Sequence, residues 1–253
     1  MVDKCCRHKT IKSTSTFQSC KHQILQQGDF IMQMQRRVRA GFNFLAPFYD
    51  FFSFLFFGNS ILNSQKFLLQ ELKKCKNVLV LGGGSGKLLM ELIKRDVAEQ
   101  CCYVDISNKM IALAKKRLEK EFSKKIKSVN FICGSVNAID EKQKFDLIIT
   151  PYILDCITQE NLSPILQQLK SHLLPNGKWL FIDFNIPKNS HAKTFSFARV
   201  RIMYFGFNII CGLGIKQLPD FEKEFLKLNF LAEHENYFLR EFQVARIYKK
   251  TEG

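Results

Sequence analysis

The chain has 253 residues, 46% of them hydrophobic, and a formal net charge of +15. This length and composition suit one globular α/β domain with appendages and argue against wholesale disorder. The nine cysteines include no CxxC pair and the five histidines are scattered, so no metal site is expected and a reducing cytoplasm fits best.

The positive charge is uneven: residues 1–40 carry +6 and 71–130 carry +7, whereas 131–190 carry −1. A basic surface of this kind attracts nucleic acid, anionic lipid or an acidic metabolite, unless it is a solvated lysine-rich face. The uncharged stretches 51–64 and 202–215 hold fourteen residues each, which suits a buried or interfacial helix rather than a membrane span of about 20 residues.

The chain divides into a leader, a helical segment and an α/β core. Residues 1–35 are polar and aperiodic, which predicts a disordered leader. Residues 36–72 are aromatic with a helical pattern broken at Pro47, which predicts lid helices. Short apolar runs in the core, 73–190, predict strands at 76–81, 101–104, 129–133, 145–150 and 179–184. Helical periodicity predicts helices at 87–95, after Ser107 as N-cap, and from Ser163-Pro164.

Residues 191–253 are expected to carry substrate-side helices and the terminal strands. The pattern predicts helices at 194–215 and 219–229 and strands at about 232–239 and 242–249. These two strands are expected to be antiparallel because the turn between them is short. The whole alternation predicts a Rossmann-like α/β fold: a doubly wound, mostly parallel seven-stranded sheet with an antiparallel C-terminal strand pair.

A glycine-rich turn, Leu81-Gly-Gly-Gly-Ser-Gly-Lys87, follows the first core strand and opens the first core helix. Glycines let a ligand approach the main chain, and the helix N-terminus offers unpaired N–H donors and partial positive charge. The turn lacks the spacing of a phosphate-binding P-loop. A dinucleotide fingerprint is weakened, because Lys87 stands where its third glycine belongs.

Several motifs between residues 42 and 185 resemble those of class I S-adenosylmethionine-dependent methyltransferases. They are the G-x-G-x-G turn, the Asp105-Ile-Ser-x-x-Met110 sequence that ends the next strand, the strand 145–150 and the segment 173–180. Upstream, Phe42-Asn-x-x-Ala-x-x-Tyr49-Asp50 is similar to the opening helix of quinone-biosynthesis-type C-methyltransferases. The resemblance implies S-adenosyl-L-methionine as cofactor and methyl transfer as activity.

The resemblance also implies which residues hold the cofactor. Asp105 would accept both ribose hydroxyls, and Met110 or a neighbour would border the adenine. The implied cofactor-binding residues are Gly82, Gly83, Gly84, Gly86, Asp105, Ile106, Met110, Ser135, Val136 and Thr150. Two acids usual in the family are replaced, by Val80 in the first strand and by Ser135 after the third. A non-catalytic cofactor-binding domain therefore remains an alternative.

No catalytic residue is fixed by the sequence, and the candidates are Tyr49, Tyr152 and Asp155. Tyr49 is expected either to close over the sulfonium by a cation–π contact or to pack in the core. Tyr152 and Asp155 follow the fourth strand, at the carboxyl end of the sheet where ligands of open α/β folds bind. Asp155 is interpreted as a helix cap in preference to a general base.

The segments 36–64 and 194–215 are rich in hydrophobic residues, which predicts an apolar pocket for a small, hydrophobic or lipid-like methyl acceptor. The basic exterior favours a cytoplasmic protein in peripheral contact with an anionic membrane. The charge also suggests a nucleic-acid methyltransferase as an alternative, although no RNA-binding module is recognisable. The acceptor atom and the oligomeric state are not indicated.

Overall fold

The computed structural model describes residues 36–187 and 190–251, and the predicted leader at 1–35 lies outside them. One seven-stranded sheet forms its centre. The strands are β1 Cys75–Leu81, β2 Ala98–Asp105, β3 Val129–Cys133, β4 Phe145–Pro151, β5 Leu173–Phe184, β6 Phe230–Phe238 and β7 Gln243–Lys250. Their order in the sheet is β3-β2-β1-β4-β5-β7-β6.

The strand directions define the topology. β1 to β5 pair in parallel, and β7 runs antiparallel to both of its neighbours, β5 and β6. The order reverses between β1 and β4, and ligands of open α/β sheets bind beyond the carboxyl ends of strands at such a point. The predicted Rossmann-like seven-stranded sheet with an antiparallel C-terminal pair is confirmed.

Helices cover both faces of the sheet. They are α1 Arg36–Leu45, α2 Tyr49–Phe57, α3 Ser60–Phe67, α4 Lys87–Lys94, α5 Asn108–Phe122, α6 Gln159–His172, α7 Ser190–Cys211 and α8 Phe221–Lys227. Side chains alternate along each strand, so β1 contributes to two separate cores. Val78 and Val80 pack with α4 and α5, whereas Leu79 and Leu81 pack with α6 and α8.

A third apolar cluster joins the N-terminal helices to α7 beside the carboxyl ends of β4 and β5. Val200 and Tyr204 of α7 are buried in it, and Phe57 of α2 packs there through ring contacts with Phe184 and Phe242. Within the described residues, no single helix is long and apolar enough to cross a membrane. Only α1 and α2 taken together, bent by 77° where they meet, reach that length and composition.

Two sequence predictions about local structure are wrong. α6 begins at Gln159, four residues before the predicted start at Ser163, and Pro164 lies inside it. Leu162 accounts for the difference, because it is fully buried on the same face as Leu166 and so favours an earlier helix start. The strand predicted at 179–184 begins earlier, at Leu173, because β5 continues through an irregularity where its register with β4 shifts.

Candidate cofactor and acceptor site

The glycine turn lies between β1 and α4 at the carboxyl edge of the sheet. The Gly82 amide donates to the Val104 carbonyl at 2.8 Å, which ties the turn to β2. Gly84 has a φ of 63°, a conformation that favours glycine. A Cβ added to Gly84 would meet Tyr49 Cε1 at 3.8 Å, an ordinary contact distance. The main chain of Gly84 is therefore open toward the cleft.

Gly83 and Gly86 serve packing within the turn instead. A Cβ on Gly83 would lie 2.2 Å from the Tyr103 ring, and one on Gly86 would lie 2.8 Å from Ala114 of α5. Neither glycine lines the cleft. An added Cβ on Gly82 would likewise lie 2.6 Å from Ile153, so three of the four glycines are needed because the turn packs closely against its neighbours. Cofactor binding by the four glycines stays a prediction.

Asp105 ends β2 and lines the cleft beside Gly84. Its Oδ2 accepts from the Gly84 amide at 2.9 Å and its Oδ1 from the Ser107 amide at 2.8 Å. Burial raises the pKa of Asp105, and the two amide donors partly offset that effect. Each carboxylate oxygen has a second lone pair, so the group that fixes the turn can also bind a diol in the cleft.

Tyr103, which the sequence analysis did not single out, supports the turn from the sheet. It is fully buried, and its hydroxyl donates to the Gly84 carbonyl at 2.9 Å. Its register partner on β1 is Val80, which is fully buried in the core and stands where the resemblance implies an acid. The sequence could have indicated this role, because a residue two positions before Asp105 lies on the same face of β2 and therefore next to the glycine turn.

Mostly apolar residues form the rest of the cleft, whose volume is about 260 Å³. Seven of the residues implied by the resemblance line it: Gly82, Gly84, Asp105, Ile106, Met110, Ser135 and Val136. The sequence analysis named Phe42 and Leu81 as parts of motifs, but it did not name the lining residues Val38, Gly134, Ile153, Cys156, Ile157, Ile165 and Leu213. They come from distant parts of the chain, and no local pattern connects them.

Thr150 is not among the residues that line the cleft, and its side chain is not directed into it. Its side chain is fully buried, and its Oγ1 accepts from Trp179 Nε1 at 3.0 Å. Strand alternation explains this placement. Thr150 shares its face of β4 with Ile148, which belongs to the core formed with α6 and α8.

Two of the catalytic candidates, Tyr49 and Tyr152, line the cleft. The Tyr152 hydroxyl shares a hydrogen bond of 2.6 Å with the Ser64 hydroxyl of α3. Its φ of 52° is uncommon for a tyrosine, and such strained residues often cluster at functional sites. Burial raises the pKa of both phenols above the usual range. Both therefore stay protonated, so neither serves as a general base.

Asp155, the third candidate, is buried and is not among the lining residues. It lies in a short 3-10 turn and Thr158 is the N-cap of α6, so the interpretation of Asp155 as a helix cap is wrong. Its amide donates to Asp183 Oδ2 at 3.2 Å. Burial raises the pKa of Asp155, and burial together with the nearby Asp155 charge raises that of Asp183. At least one of these two carboxyl groups therefore stays protonated at pH values above the ordinary pKa of an aspartic acid.

The N-terminal helices are fastened to the cofactor side of the cleft by polar contacts. Asn43 Oδ1 accepts from the Ser107 hydroxyl at 2.7 Å. Asp50 accepts from Arg117 of α5 and from the Ser85 hydroxyl in the turn, each at 2.7 Å. Partial burial alone would raise the pKa of Asp50, but the bonds from Arg117 and Ser85 outweigh it and hold that pKa below its usual value. Asp50 therefore stays ionised.

The strand order, the glycine turn after β1 and the carboxylate at the end of β2 are the features of a Rossmann-like α/β fold of the class I methyltransferase type. Residues 78–177 match the model of a family described as "Methyltransferase domain". The chain is 30% identical over 121 residues to malonyl-[acyl-carrier protein] O-methyltransferase of Priestia megaterium, which covers 48% of this chain and 40% of that protein. It is 40% identical over 86 residues to a polyamine aminopropyltransferase of Saccharolobus islandicus, which covers 32% of this chain and 29% of that protein.

A solved structure shares the fold. The N-methyltransferase NodS from Bradyrhizobium japonicum WM9, in complex with S-adenosyl-L-homocysteine, has a TM-score of 0.54 at 13% identity over 76% of this chain and 84% of that chain. The chain spans less than half the length of the two curated relatives. Residues 78–177 thus carry a methyltransferase domain, and the resemblance to the class I superfamily is confirmed. The likeness of residues 42–50 to quinone-biosynthesis enzymes stays a prediction.

Proposed function

We propose that this chain transfers a methyl group from S-adenosyl-L-methionine to a small, hydrophobic acceptor. The observation that carries the proposal is the pairing of two groups at the cleft. The open main chain of Gly84 and the carboxylate of Asp105 are joined by a hydrogen bond of 2.9 Å at the point where parallel sheets bind nucleotides. The methyltransferase domain at 78–177 and the ligand bound to NodS support this choice of cofactor.

The cleft residues fit such a cofactor. Asp105 would accept from the ribose hydroxyls, and the Ser135 hydroxyl would accept from the adenine amino group. Met110 and Val136 would flank the adenine ring, and Gly84 has no side chain that would exclude the amino-acid portion. When bound, the cofactor supplies an electrophilic methyl group on a positively charged sulfur.

The chain's own contribution to the reaction is alignment and the exclusion of water. The Tyr49 and Tyr152 phenols stay protonated, and the remaining lone pairs of Asp105 would be taken by the ribose hydroxyls, so neither the phenols nor this carboxylate would act as a base on the acceptor. The displacement therefore relies on proximity and orientation. The Tyr49 ring, next to Gly84, would favour the positive charge through its π face.

The mostly apolar residues that line the cleft also favour a hydrophobic acceptor. Phe42, Ile165 and Leu213 offer apolar surface, and Asp105 is the one carboxylate among the described lining residues. A polyamine, as in the name of the Saccharolobus relative, would find no second carboxylate in this lining. Hydrophobic acceptors partition into membranes, so the site would have to meet such an acceptor at a bilayer surface.

Cofactor binding is tested by thermal melting with S-adenosylhomocysteine. We expect millimolar ligand to raise the melting temperature of the parent and of Asp140→Ala, an exposed control, but not of Asp105→Ala. A parent that shows no shift contradicts the proposal.

Transfer is tested with methyl-labelled cofactor and separate lipid, small-molecule and RNA fractions. Label in an organic-soluble product supports the proposed acceptor class, whereas label in RNA supports the nucleic-acid alternative. Cofactor binding without transfer to any fraction would indicate the non-catalytic domain that Val80 and Ser135 suggested.

A further inference from the structure

The outer surfaces of α2 and α7 expose many large apolar side chains. Between Phe44 and Phe56, seven such side chains are 41% to 66% exposed. On α7, Ile202 and Phe205 are each 68% exposed and Ile209 is 61% exposed. Soluble proteins rarely leave an apolar patch of this extent open to water, and patches of this kind mark interaction sites.

α7 is apolar on opposite sides. Val200 and Tyr204 are buried against the core, whereas Ile202, Phe205 and Ile209 lie about half a turn away on the helix surface. A surface helix normally presents polar residues on the side away from the core. The exposed apolar side chains of α7 therefore indicate that this side of the helix contacts an apolar partner outside the domain.

α2 is held in place although none of its residues is buried. At its first turn Asp50 binds Arg117 and Ser85. At its last turn the Phe56 carbonyl accepts from Arg199 of α7 at 2.9 Å. The side chains between these two attachments are thus presented outward by a fixed helix.

The contact between Arg199 and Phe56 joins α2 to α7, and we treat the exposed apolar side chains of these neighbouring helices as one surface. We call this surface the apolar platform. It consists of Phe51, Phe52, Phe54, Leu55 and Phe56 on α2 with Ile202, Phe205 and Ile209 on α7.

The segments that form the apolar platform are rich in positive charge. Residues 184–219, which include α7, contain five Lys or Arg and no Asp or Glu. α1 carries the exposed Arg36, Arg37 and Arg39. Residues 36–57 contain a single acidic residue, Asp50, and its carboxylate is bound to Arg117. An apolar centre with a cationic border complements an anionic lipid surface.

We propose that the apolar platform is a docking surface for an anionic phospholipid bilayer. Its phenylalanines enter the interface between headgroups and acyl chains, while the arginines of α1 and the exposed Arg201 of α7 contact the headgroups. The same part of the chain lines the cleft, through Phe42 of α1, Tyr49 of α2 and Leu213 after α7. Docking brings the cleft next to the bilayer, so that a hydrophobic acceptor enters without crossing water. Delivery of the acceptor rests on the proposed methyl transfer, whereas docking does not.

Flotation of the full chain with lipid vesicles tests the proposal. We expect the parent to float with phosphatidylcholine vesicles that contain phosphatidylglycerol. The triple variant Phe54→Ser, Phe56→Ser, Phe205→Ser should lower the partition coefficient by at least about tenfold. The matched control, Leu226→Ser with Leu231→Ser, changes side chains that are 51% and 53% exposed on α8 and the start of β6, and it should float like the parent.

A charge variant tests the cationic border. Arg36→Gln with Arg39→Gln should lower binding to the anionic vesicles by about tenfold or more and leave binding to pure phosphatidylcholine unchanged. Added salt should weaken the binding of the parent to anionic vesicles and should act less on this variant.

Several outcomes overturn the docking proposal. A parent that does not float, or a triple variant that floats as well as the parent, contradicts it. So does a parent that forms a dimer without binding vesicles and becomes monomeric in the triple variant, because the apolar platform would then join two copies. The melting shift with S-adenosylhomocysteine, measured on each variant, shows that the cofactor cleft is intact. Absence of that shift in a parent that floats would contradict the proposed methyl transfer alone.

Discussion

The Asp50 carboxylate of α2 accepts a hydrogen bond from the Ser85 hydroxyl of the glycine turn, with 2.7 Å between the oxygens. The same carboxylate binds Arg117 of α5 at 2.7 Å and lies 3.3 Å from Lys87 Nζ at the start of α4. One acid on an N-terminal helix thus joins the two helices and the turn that frame the cofactor side. Any movement of α2 away from the cleft must break these contacts.

Asp50→Asn should therefore weaken cofactor binding by loosening α2. Loss of charge-assisted bonds to Arg117 and Ser85 is expected to reduce affinity for S-adenosylhomocysteine about fivefold to thirtyfold, measured by titration calorimetry. The matched control is Asp96→Asn, which removes exposed ion pairs with Lys74 and Lys125. Its affinity should equal that of the parent. Equal affinities in all three proteins would show that the contact does not hold the cleft.

Gly84→Ala and Gly58→Ala form a pair that separates backbone strain from blockage of the cleft. Their φ angles are 63° and 57°, so alanine should cost each variant about 1 kcal/mol of folding stability in thermal melts. A Cβ on Gly58 meets no described atom within 4 Å, whereas one on Gly84 points toward Tyr49 in the cleft. Only Gly84→Ala should lose affinity for S-adenosylhomocysteine. A similar loss in both variants would place the ligand elsewhere.

Much of the fold was predictable because it depends on local patterns. β3 matches the predicted 129–133, and the Ser107 side chain accepts from the Met110 amide at 3.1 Å, as expected of an N-cap. Pro164 misled the prediction of α6 because a strong local start signal competed with the packing of Leu162, which is a tertiary effect. Local signals thus gave the elements but not every boundary.

The candidate site was only partly predictable. Asp105 and Met110 could be placed because the motif and the strand end lie next to each other in the chain. Val38 and Leu213 line the same cleft from positions far apart in the sequence, and only the packing of α1 against the end of α7 brings them there. Thr150 has a suitable residue type at a suitable strand end, but its side chain points to the opposite face.

Tyr103→Phe should loosen the glycine turn while preserving the packing of the ring. It removes the donor to the Gly84 carbonyl, so we expect about 1–2 kcal/mol lower stability in urea denaturation and weaker binding of S-adenosylhomocysteine. Tyr204→Phe is the control, because it also removes a buried phenol that donates to a carbonyl, that of Asp155, at 3.1 Å. Its stability should fall by a similar amount with little change in affinity. If Tyr103→Phe binds like Tyr204→Phe, the phenol has no role in shaping the turn.

The buried pair Asp155 and Asp183 predicts a pH dependence of stability. Burial raises the pKa of Asp155 from 3.8 to about 6, and burial with the nearby Asp155 charge raises that of Asp183 well above 3.8. An acid whose pKa is raised on folding holds more protons in the folded state than in the unfolded state. Its contribution to stability is therefore complete below about pH 3.8 and is lost as pH rises through about 6.

Asp155→Asn removes one titrating group and the repulsion it exerts on Asp183. Relative to the parent, we expect the variant to gain stability as pH rises from 4 to 7, by an amount on the order of 1–3 kcal/mol at pH 7. Urea denaturation at several pH values measures this difference, with the exposed Asp140→Asn as a control whose difference from the parent should stay constant. The difference between variant and parent is the informative quantity, because Asp50, whose pKa is lowered, acts in the opposite direction. A difference between Asp155→Asn and the parent that is the same at every pH would contradict this prediction. It would show that the two carboxyl groups do not repel each other in a buried environment.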